Sequence, residues 1–170
     1  MPFDAQPSLI GSLVKLRPLM QSDKSVLYSV AADPQIWEQH PVSNRHTENE
    51  FEKFFSESIE SGGALLIFDT NSDTVIGSSR YFGFSEGKNE VEIGWTFLAK
   101  SHWGGKHNGE LKQLMLRHAF KYVDTVVFFI DPKNMRSQKS VEKIGGLRDA
   151  NLDGKGQVVY RIEKSKFGNE

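Results

Sequence analysis

Cysteine is absent from the 170-residue chain. Disulfide bonds, thiolate metal sites and a cysteine nucleophile are therefore excluded. No apolar run reaches the roughly 18 residues that a membrane-spanning helix needs, so we expect no membrane partner. The first residues contain no basic stretch followed by an apolar run, so we also expect no secretory signal. A cytoplasmic location is then the default expectation.

The chain also lacks an excess of either charge. It has 21 Lys and Arg against 22 Asp and Glu, which gives a formal net charge of −1. Nucleic acids and anionic membranes are usually bound by basic patches, so neither is an expected partner. Hydrophobic residues make up 38 % and charged residues 25 % of the chain, as in globular proteins. We expect one domain over residues 1–170.

The hydrophobic pattern predicts alternating strands and helices. Strands are predicted at 13–19, 64–69, 75–84, 91–98, 126–130 and 158–162, and helices after Ser22–Asp23, Thr47, the loop 103–109 and Asn134. The first strand is of the edge type, and the turn-rich segment 85–89 predicts an antiparallel hairpin. This order predicts a mixed sheet with helices packed on it.

A glycine-bearing loop, Trp-Gly-Gly-Lys-His-Asn-Gly at 103–109, precedes the third predicted helix. Helix N-termini present unpaired N–H groups and a partial positive charge, and glycine lets the backbone approach an anion closely. The loop matches neither the P-loop nor the dinucleotide-binding pattern. It therefore indicates either an anion-binding loop, suited to a phosphate or pyrophosphate, or a plain tight turn.

Three segments, in this order, carry a family resemblance: LIGSLVKLRPLMQSD, VEIGWTFLAKSHWGGKHNGELKQLMLRHAF and DPKNMRSQKSVEKIGG. Together they resemble the GNAT superfamily of N-acetyltransferases, in its RimJ/RimL-like branch. The resemblance implies an α/β (α+β) GNAT fold, a mixed, mostly antiparallel central sheet of about six to seven strands with about four helices. It also implies acetyl transfer from acetyl-CoA to a primary amine of a small molecule or a protein N-terminus, by direct transfer with a general base. A homodimer stays open.

The resemblance also implies where acetyl-CoA is held. The expected contacts are Trp95, Thr96, Phe97, Trp103, Gly104, Gly105, Lys106, His107, Asn108, Gly109 and Asn134. In the family, the strand 91–98 splays from its parallel neighbour to admit the pantetheine arm. Gly94 is either the site of a bulge there or a packing glycine. Two positions depart from the family pattern: Lys106 stands where a second glycine or alanine is usual, and Gly146 where phenylalanine is usual.

Acetyl transfer to an amine needs a base for the ammonium and a donor for the leaving thiolate. Glu92 lies on the strand expected to line the cleft and matches a glutamate of the branch, so it is the first candidate base; Glu90, on the same face, is the reserve. Alternatively, Glu92 forms an ion pair with a neighbouring cation.

The donor candidate is Ser137, which matches a serine proposed as the donor in the branch. Alternatively, its hydroxyl satisfies backbone groups at the start of the helix. Glu142 occupies the position of the tyrosine acid that many GNAT enzymes use.

The acceptor pocket is expected in the family's variable helices. Trp37, Glu38 and His40 are the expected acceptor contacts, and Phe51, Phe54 and Phe55 are expected in the core. His118 is expected to pack in the core as well. His102 and His107 flank the loop; their spacing is no zinc signature and suggests no third ligand, so no metal is expected.

Two further functions stay open beside the acetyltransferase. One is an acyl-CoA-binding or sensing module of GNAT fold with weak or no turnover, which Lys106 motivates. The other is transfer of an acyl group larger than acetyl. The acceptor amine itself is not identified, because its pocket comes from the most variable segments.

Overall fold

The computed structural model describes residues 2–154 and 156–168. Its strands are β1 (Leu9–Ile10), β2 (Val14–Pro18), β3 (Ala64–Asp69), β4 (Val75–Ser85), β5 (Glu90–Leu98), β6 (Thr125–Ile130), β7 (Leu147–Arg148) and β8 (Val158–Glu163), and its α-helices are α1 (Lys24–Ala31), α2 (Glu48–Ser61), α3 (Lys106–Ala119) and α4 (Met135–Lys143). All eight strands form one sheet in the order β1-β2-β3-β4-β5-β6-β8-β7. The expected mixed, mostly antiparallel central sheet with four helices is confirmed.

The strand count is higher than expected because two strands have only two residues each. β1 and β7 are too short to show the alternation by which a strand is predicted from sequence. β1 pairs with the outer side of β2, so the prediction that β2 is an edge strand was wrong. Every neighbouring pair is antiparallel except β5 and β6, which are parallel.

The ends of the helices follow local chemistry with one exception. Thr47 Oγ1 accepts a hydrogen bond from Glu50 N at 3.4 Å, and α2 ends at Gly62 with φ 68°. α1 was expected to be capped by Ser22 or Asp23. The Asp23 carboxylate instead accepts hydrogen bonds from Arg17 and from the Met20 N–H, so it makes no side-chain cap.

The sheet is covered on both faces. Successive residues of β3 point to opposite sides: Leu65 and Ile67 join the cluster that contains α3, and Ala64 and Leu66 join the cluster that contains α1 and α2. The expected core residues Phe51, Phe54 and Phe55 are at most 2 % exposed in the second cluster. His118 is buried on α3 as predicted and donates from Nε2 to the Asp4 carbonyl.

Gly146 is explained by packing against α4. A Cβ at this position would lie 2.3 Å from Val141 Cγ1, so a side chain does not fit here without a shift. The local structure therefore accounts for a glycine at position 146, where the family usually has phenylalanine. None of the described helices combines the length and the apolar character needed to cross a membrane.

Candidate active site

The site begins where β5 and β6 separate. They pair at three positions, Glu90 to Glu92 against Thr125 to Val127, and no further pairs between them follow in the described part of the chain. The remaining residues of β5 keep their bonds to β4, so this edge of β5 offers backbone groups that no strand occupies. The splay expected from the family resemblance is confirmed.

A β-bulge sits beside this opening. Ser78 pairs with Phe97 and Arg80 with Gly94, so Trp95 and Thr96 together face one residue of β4. Trp95 has φ 53°, a left-handed conformation that is uncommon for a bulky residue. Its indole lies 4.2 Å from the Arg80 guanidinium, which helps to hold it. Of the two expectations for Gly94, a bulge or a packing glycine, the bulge is found one residue further on, at Trp95 and Thr96.

A cavity of about 380 Å³ fills the splay. Its lining includes many of the residues expected from the sequence: Glu92, Ser137, Trp95, Thr96, Phe97, Trp103, Gly104, Asn108, Asn134, Trp37 and His40. Glu38, Gly105, Lys106, His107 and Gly109 are not among the lining residues. A larger groove of about 850 Å³ contains neither Glu92 nor Ser137, although Gly109 lines it.

Glu92 is a half-buried carboxyl in this cavity. Burial raises its pKa to about 7, and the opposing attraction of Arg80 is smaller. A Cβ at Gly94 would lie 3.1 Å from Glu92 Oε2, so the glycine leaves room for this carboxylate. The reserve candidate, Glu90, lies outside the cavity lining and pairs with Arg161 at 3.9 Å. A carboxyl that titrates near neutral pH suits a general base.

The glycine loop is shorter than expected. α3 begins at Lys106, so the segment 106–109 forms the first helical turn. Gly105 is the N-cap residue, and no described side chain makes a cap bond there. Gly104, with φ 68°, turns the chain before it. The first N–H groups of α3 are therefore left for an anion or solvent. Lys106 is exposed.

The sequence model of the acetyltransferase (GNAT) domain matches residues 14–146, most of the chain. The chain belongs to the GNAT acetyltransferase family. As a family member it is an acyltransferase, and the family uses acetyl-CoA. The matched segment contains the splay, the loop, Glu92 and Ser137.

Solved GNAT structures share the fold of this acetyltransferase. A GCN5-related N-acetyltransferase from Brucella melitensis matches with a TM-score of 0.81 at 17 % identity, over 95 % of this chain and 80 % of that one. RimJ of Mycobacterium smegmatis in complex with CoA-disulfide matches at 0.76 and 17 %, over 99 % and 93 %. An acetyltransferase from Agrobacterium tumefaciens matches at 0.73 and 23 %, over 92 % and 94 %.

Two expected residues of the acetyltransferase meet at the start of α4. Asn134 Oδ1 accepts a hydrogen bond from Ser137 N at 3.2 Å and caps the helix. Both residues line the cavity, across the splay from β5. The Arg136 guanidinium lies 3.9 Å from the Trp103 ring, which connects this helix start to the glycine loop.

The expected acceptor contacts differ from one another. Trp37 is 3 % exposed, donates from Nε1 to the Ala31 carbonyl and packs in the core while it lines the cavity. His40 also lines the cavity, and burial lowers its pKa to about 4. Its Nδ1 accepts from the Val42 N–H. Glu38 is exposed and not part of the lining.

Lys112 is a cavity residue that sequence reasoning missed. It is 4 % exposed, and its ammonium donates to Thr96 Oγ1, which in turn shares a 2.7 Å hydrogen bond with Ser79 Oγ. No carboxylate of the described residues pairs with it, and burial lowers its pKa to about 7. The sequence held one signal of its burial: Lys112 lies one helical turn before Leu116, so the two side chains share a face of α3, and Leu116 is buried.

The buried Lys112 is expected to make the free energy of unfolding depend on pH. Its pKa of about 7 in the folded state compares with 10.5 when exposed, so the unfolded chain binds more protons between these values. The free energy of unfolding should therefore rise with pH in this window, by up to about 1.4 kcal/mol per pH unit. Urea unfolding at several pH values should show this rise in the wild type and lose it in Lys112→Met. Lys121→Met, which removes an exposed lysine, is the control; equal slopes in all three proteins would contradict the assignment.

Asp69 is another residue that the sequence did not single out. It lies at the end of β3, and its Oδ2 is 2.8 Å from His102 Nε2 and 3.8 Å from His107 Nε2. The spacing of the two histidines suggested no third ligand, and the structure brings Asp69 to both of them. The pairing joins segments more than 30 residues apart, which local spacing does not reveal.

Proposed function

We propose that this chain is an acetyl-CoA-dependent N-acetyltransferase that acts on a primary amine, of a small molecule or of a protein N-terminus. The observation that carries the proposal is Glu92, a half-buried carboxyl that titrates near neutral pH inside the cavity between the splayed strands. The family's chemistry needs a base at this place, and the RimJ/RimL-like motifs support an amine acceptor.

The residues of the cavity fit acetyl-CoA as a substrate. The free edge of β5 can pair with the amides of the pantetheine arm, as a strand would. The uncapped N-terminus of α3, with Gly104 and Gly105 before it, suits the pyrophosphate. Lys106 is exposed at the first helical position, from which its ammonium can reach toward a phosphate as a charged donor.

The transfer reaction can be written with two side chains that line the cavity, Glu92 and Ser137. Glu92, as carboxylate, accepts a proton from the acceptor ammonium, directly or through a water. The neutral amine then attacks the thioester carbonyl; a C–N bond forms, the C–S bond breaks, and the second proton of the amine nitrogen passes to the leaving sulfur, so that the amide is neutral and coenzyme A departs as the thiol. The Ser137 hydroxyl donates a hydrogen bond to the sulfur while negative charge develops on it. Because Glu92 is partly withdrawn from water, it stays basic enough for this role near neutral pH.

Binding of acetyl-CoA is expected to stabilise the protein. At about 100 times its dissociation constant, a ligand that binds only the folded state adds roughly 2.7 kcal/mol. For a chain of this size the melting temperature should rise by about 5–10 °C. Differential scanning fluorimetry with acetyl-CoA, followed by assay of free thiol release over a panel of small amines and N-terminal peptides, tests the proposal.

The same experiment separates the alternatives. Stabilisation with turnover on an amine supports the proposed function. Stabilisation without turnover on any amine of the panel would favour a binding or sensing module, and faster turnover with a longer acyl-CoA would favour a larger acyl group. Absence of both stabilisation and calorimetric heat at millimolar acetyl-CoA would refute the proposed function.

Replacement of Ser137 by alanine is expected to separate catalysis from binding. The loss of the hydroxyl should lower kcat by about 10-fold to 100-fold if it stabilises the thiolate, a contact made chiefly in the transition state. The affinity for acetyl-CoA should change little, because the cap bond uses the backbone N–H of Ser137 and is retained. Steady-state kinetics and calorimetry of Ser137→Ala check both. An equal loss of acetyl-CoA affinity would assign the serine a positioning role instead.

A further inference from the structure

Three metal-ligating side chains meet beside the glycine loop. One ligand atom from each of Asp69, His102 and His107 can be chosen so that all three lie within 4.8 Å of one another. The Asp69 Oδ2 atom is shared: it is 2.8 Å from His102 Nε2 and 3.8 Å from His107 Nε2. All three side chains are between 13 % and 23 % exposed, so the cluster is partly withdrawn from solvent yet open to an ion.

The cluster is also oriented by its surroundings. Asp69 Oδ1 accepts hydrogen bonds from the N–H groups of Asn71 and Ser72, which leaves Oδ2 to face the histidines. His102 Nδ1 shares a 2.8 Å hydrogen bond with Ser101 Oγ, which turns Nε2 toward Asp69. Metal-binding histidines are commonly held in this way, by a hydrogen bond to the ring nitrogen that does not touch the metal.

The ligand set and its spacing favour zinc. Two imidazoles and one carboxylate are ligands that Zn²⁺ takes at about 2.0–2.1 Å, so tetrahedral ligand atoms lie about 3.3 Å apart. The two separations from Asp69 to the histidines, 2.8 and 3.8 Å, bracket this value, and no pair of the chosen ligand atoms is more than 4.8 Å apart. We propose that Asp69, His102 and His107 form a Zn²⁺ site whose fourth position is taken by water.

Such an ion would fasten the loop to the sheet. Asp69 ends β3, His102 closes the short 3₁₀ turn Lys100–His102, and His107 lies in the first turn of α3. The loop residues Trp103 to Gly105 lie between the two histidines. A metal bridge would therefore limit the motion of this loop and raise the affinity for acetyl-CoA. This consequence rests on the proposed function; the metal site itself does not.

Calorimetric titration of the chelator-treated full chain with ZnCl₂ tests the site. One equivalent should bind, and Co²⁺ in its place should give the visible absorption of a tetrahedral centre. Asp69→Asn keeps the Oδ1 acceptor for the turn but removes the charged ligand, and it should weaken Zn²⁺ binding at least 100-fold, as should His102→Gln. Ser101→Ala, which removes only the orienting hydroxyl, should weaken it about 10-fold. His46→Gln, which alters a histidine outside the cluster, should bind as the wild type does.

The outcomes decide between the alternatives. No stoichiometric binding, binding that survives Asp69→Asn, or an equal loss in His46→Gln would overturn the site. Circular dichroism of each variant verifies folding, and Ser101→Ala retains all three ligands, so the series stays informative if one ligand variant fails to fold. Acetyl-CoA affinity is measured with and without Zn²⁺ in parallel. Normal acetyl-CoA binding without any Zn²⁺ binding refutes the metal site alone, and the converse refutes the proposed function alone.

Discussion

Replacement of Glu92 by glutamine is expected to lower kcat by about 10²–10⁴-fold, the usual contribution of a general base. Glutamine keeps the shape of the side chain and its place above Gly94 but cannot accept the proton of the ammonium. The side chain is half-buried at the splay of β5 and β6, so bulk water does not readily replace it. Steady-state kinetics with a saturating amine measures the loss.

The pH dependence of the rate is a second test of Glu92 as the general base. Because burial raises the pKa of Glu92 to about 7, the carboxylate is depleted below this pH and prevails above it. The wild-type kcat/KM should therefore rise with pH through about 7, provided the acceptor ammonium does not titrate in the same range. Glu92→Gln should lack this limb and retain only the residual rate.

Glu90→Gln is the matched control. Glu90 lies two residues away on the same strand face, but it faces Arg161 and is not part of the cavity lining. Its replacement should leave kcat within about 3-fold of the wild type. An unchanged kcat in folded Glu92→Gln, with a large loss in Glu90→Gln, would transfer the role of base to Glu90. Unchanged kcat in both would require another base.

Replacement of Trp37 by alanine is expected to lower the free energy of unfolding by about 3–5 kcal/mol. The indole is 3 % exposed, its ring centroid is 5.0 Å from that of Phe97, and its Nε1 donates to the Ala31 carbonyl at 2.9 Å. Truncation leaves a void between these groups and an unpaired carbonyl. The Arg45 guanidinium, 5.3 Å from the ring, also loses a contact. The melting temperature should fall by about 6–20 °C.

Glu38→Ala controls for the loss of a neighbouring side chain. Glu38 is exposed and should change stability by no more than about 0.5 kcal/mol. Urea unfolding of both variants, with kinetics at a temperature where both are folded, separates structure from acceptor binding. A Trp37→Ala protein that is as stable as the wild type but has a raised KM for the amine would show that the indole serves the acceptor and not the core.

Local features of the sequence were sufficient for most of the fold. The β3 residues 64–68 form an unbroken apolar run that ends at Asp69, and the structure gives the strand the predicted bounds, Ala64–Asp69. Asn134 before α4 and Thr47 before α2 were predictable caps because a short polar side chain can satisfy the first N–H groups of the helix that follows. Glu92 could be selected because alternation along β5 assigns it to one face and the family motif identifies the strand.

Tertiary structure alone decided the features that depend on contacts between distant segments. The bulge falls on Trp95 and Thr96, and the Trp95 indole, at φ 53°, packs against the Arg80 guanidinium, which comes from the neighbouring strand. The burial of Lys112 was likewise decided by the tertiary structure, since a lysine on a helix is normally solvated and this one lies against Thr96 of β5.

The sequence by itself therefore determined the order of the elements, the family and the base candidate, all of which depend on local periodicity and motif order. The tertiary structure decided the pKa values and the ion pairs of the side chains in and beside the site. The pKa of Glu92 near 7 results from burial between splayed strands, and Asp69 meets His102 and His107 only because the sheet brings the end of β3 against the start of α3. Burial and long-range proximity are properties of the folded chain, because desolvation depends on every segment that packs around a group.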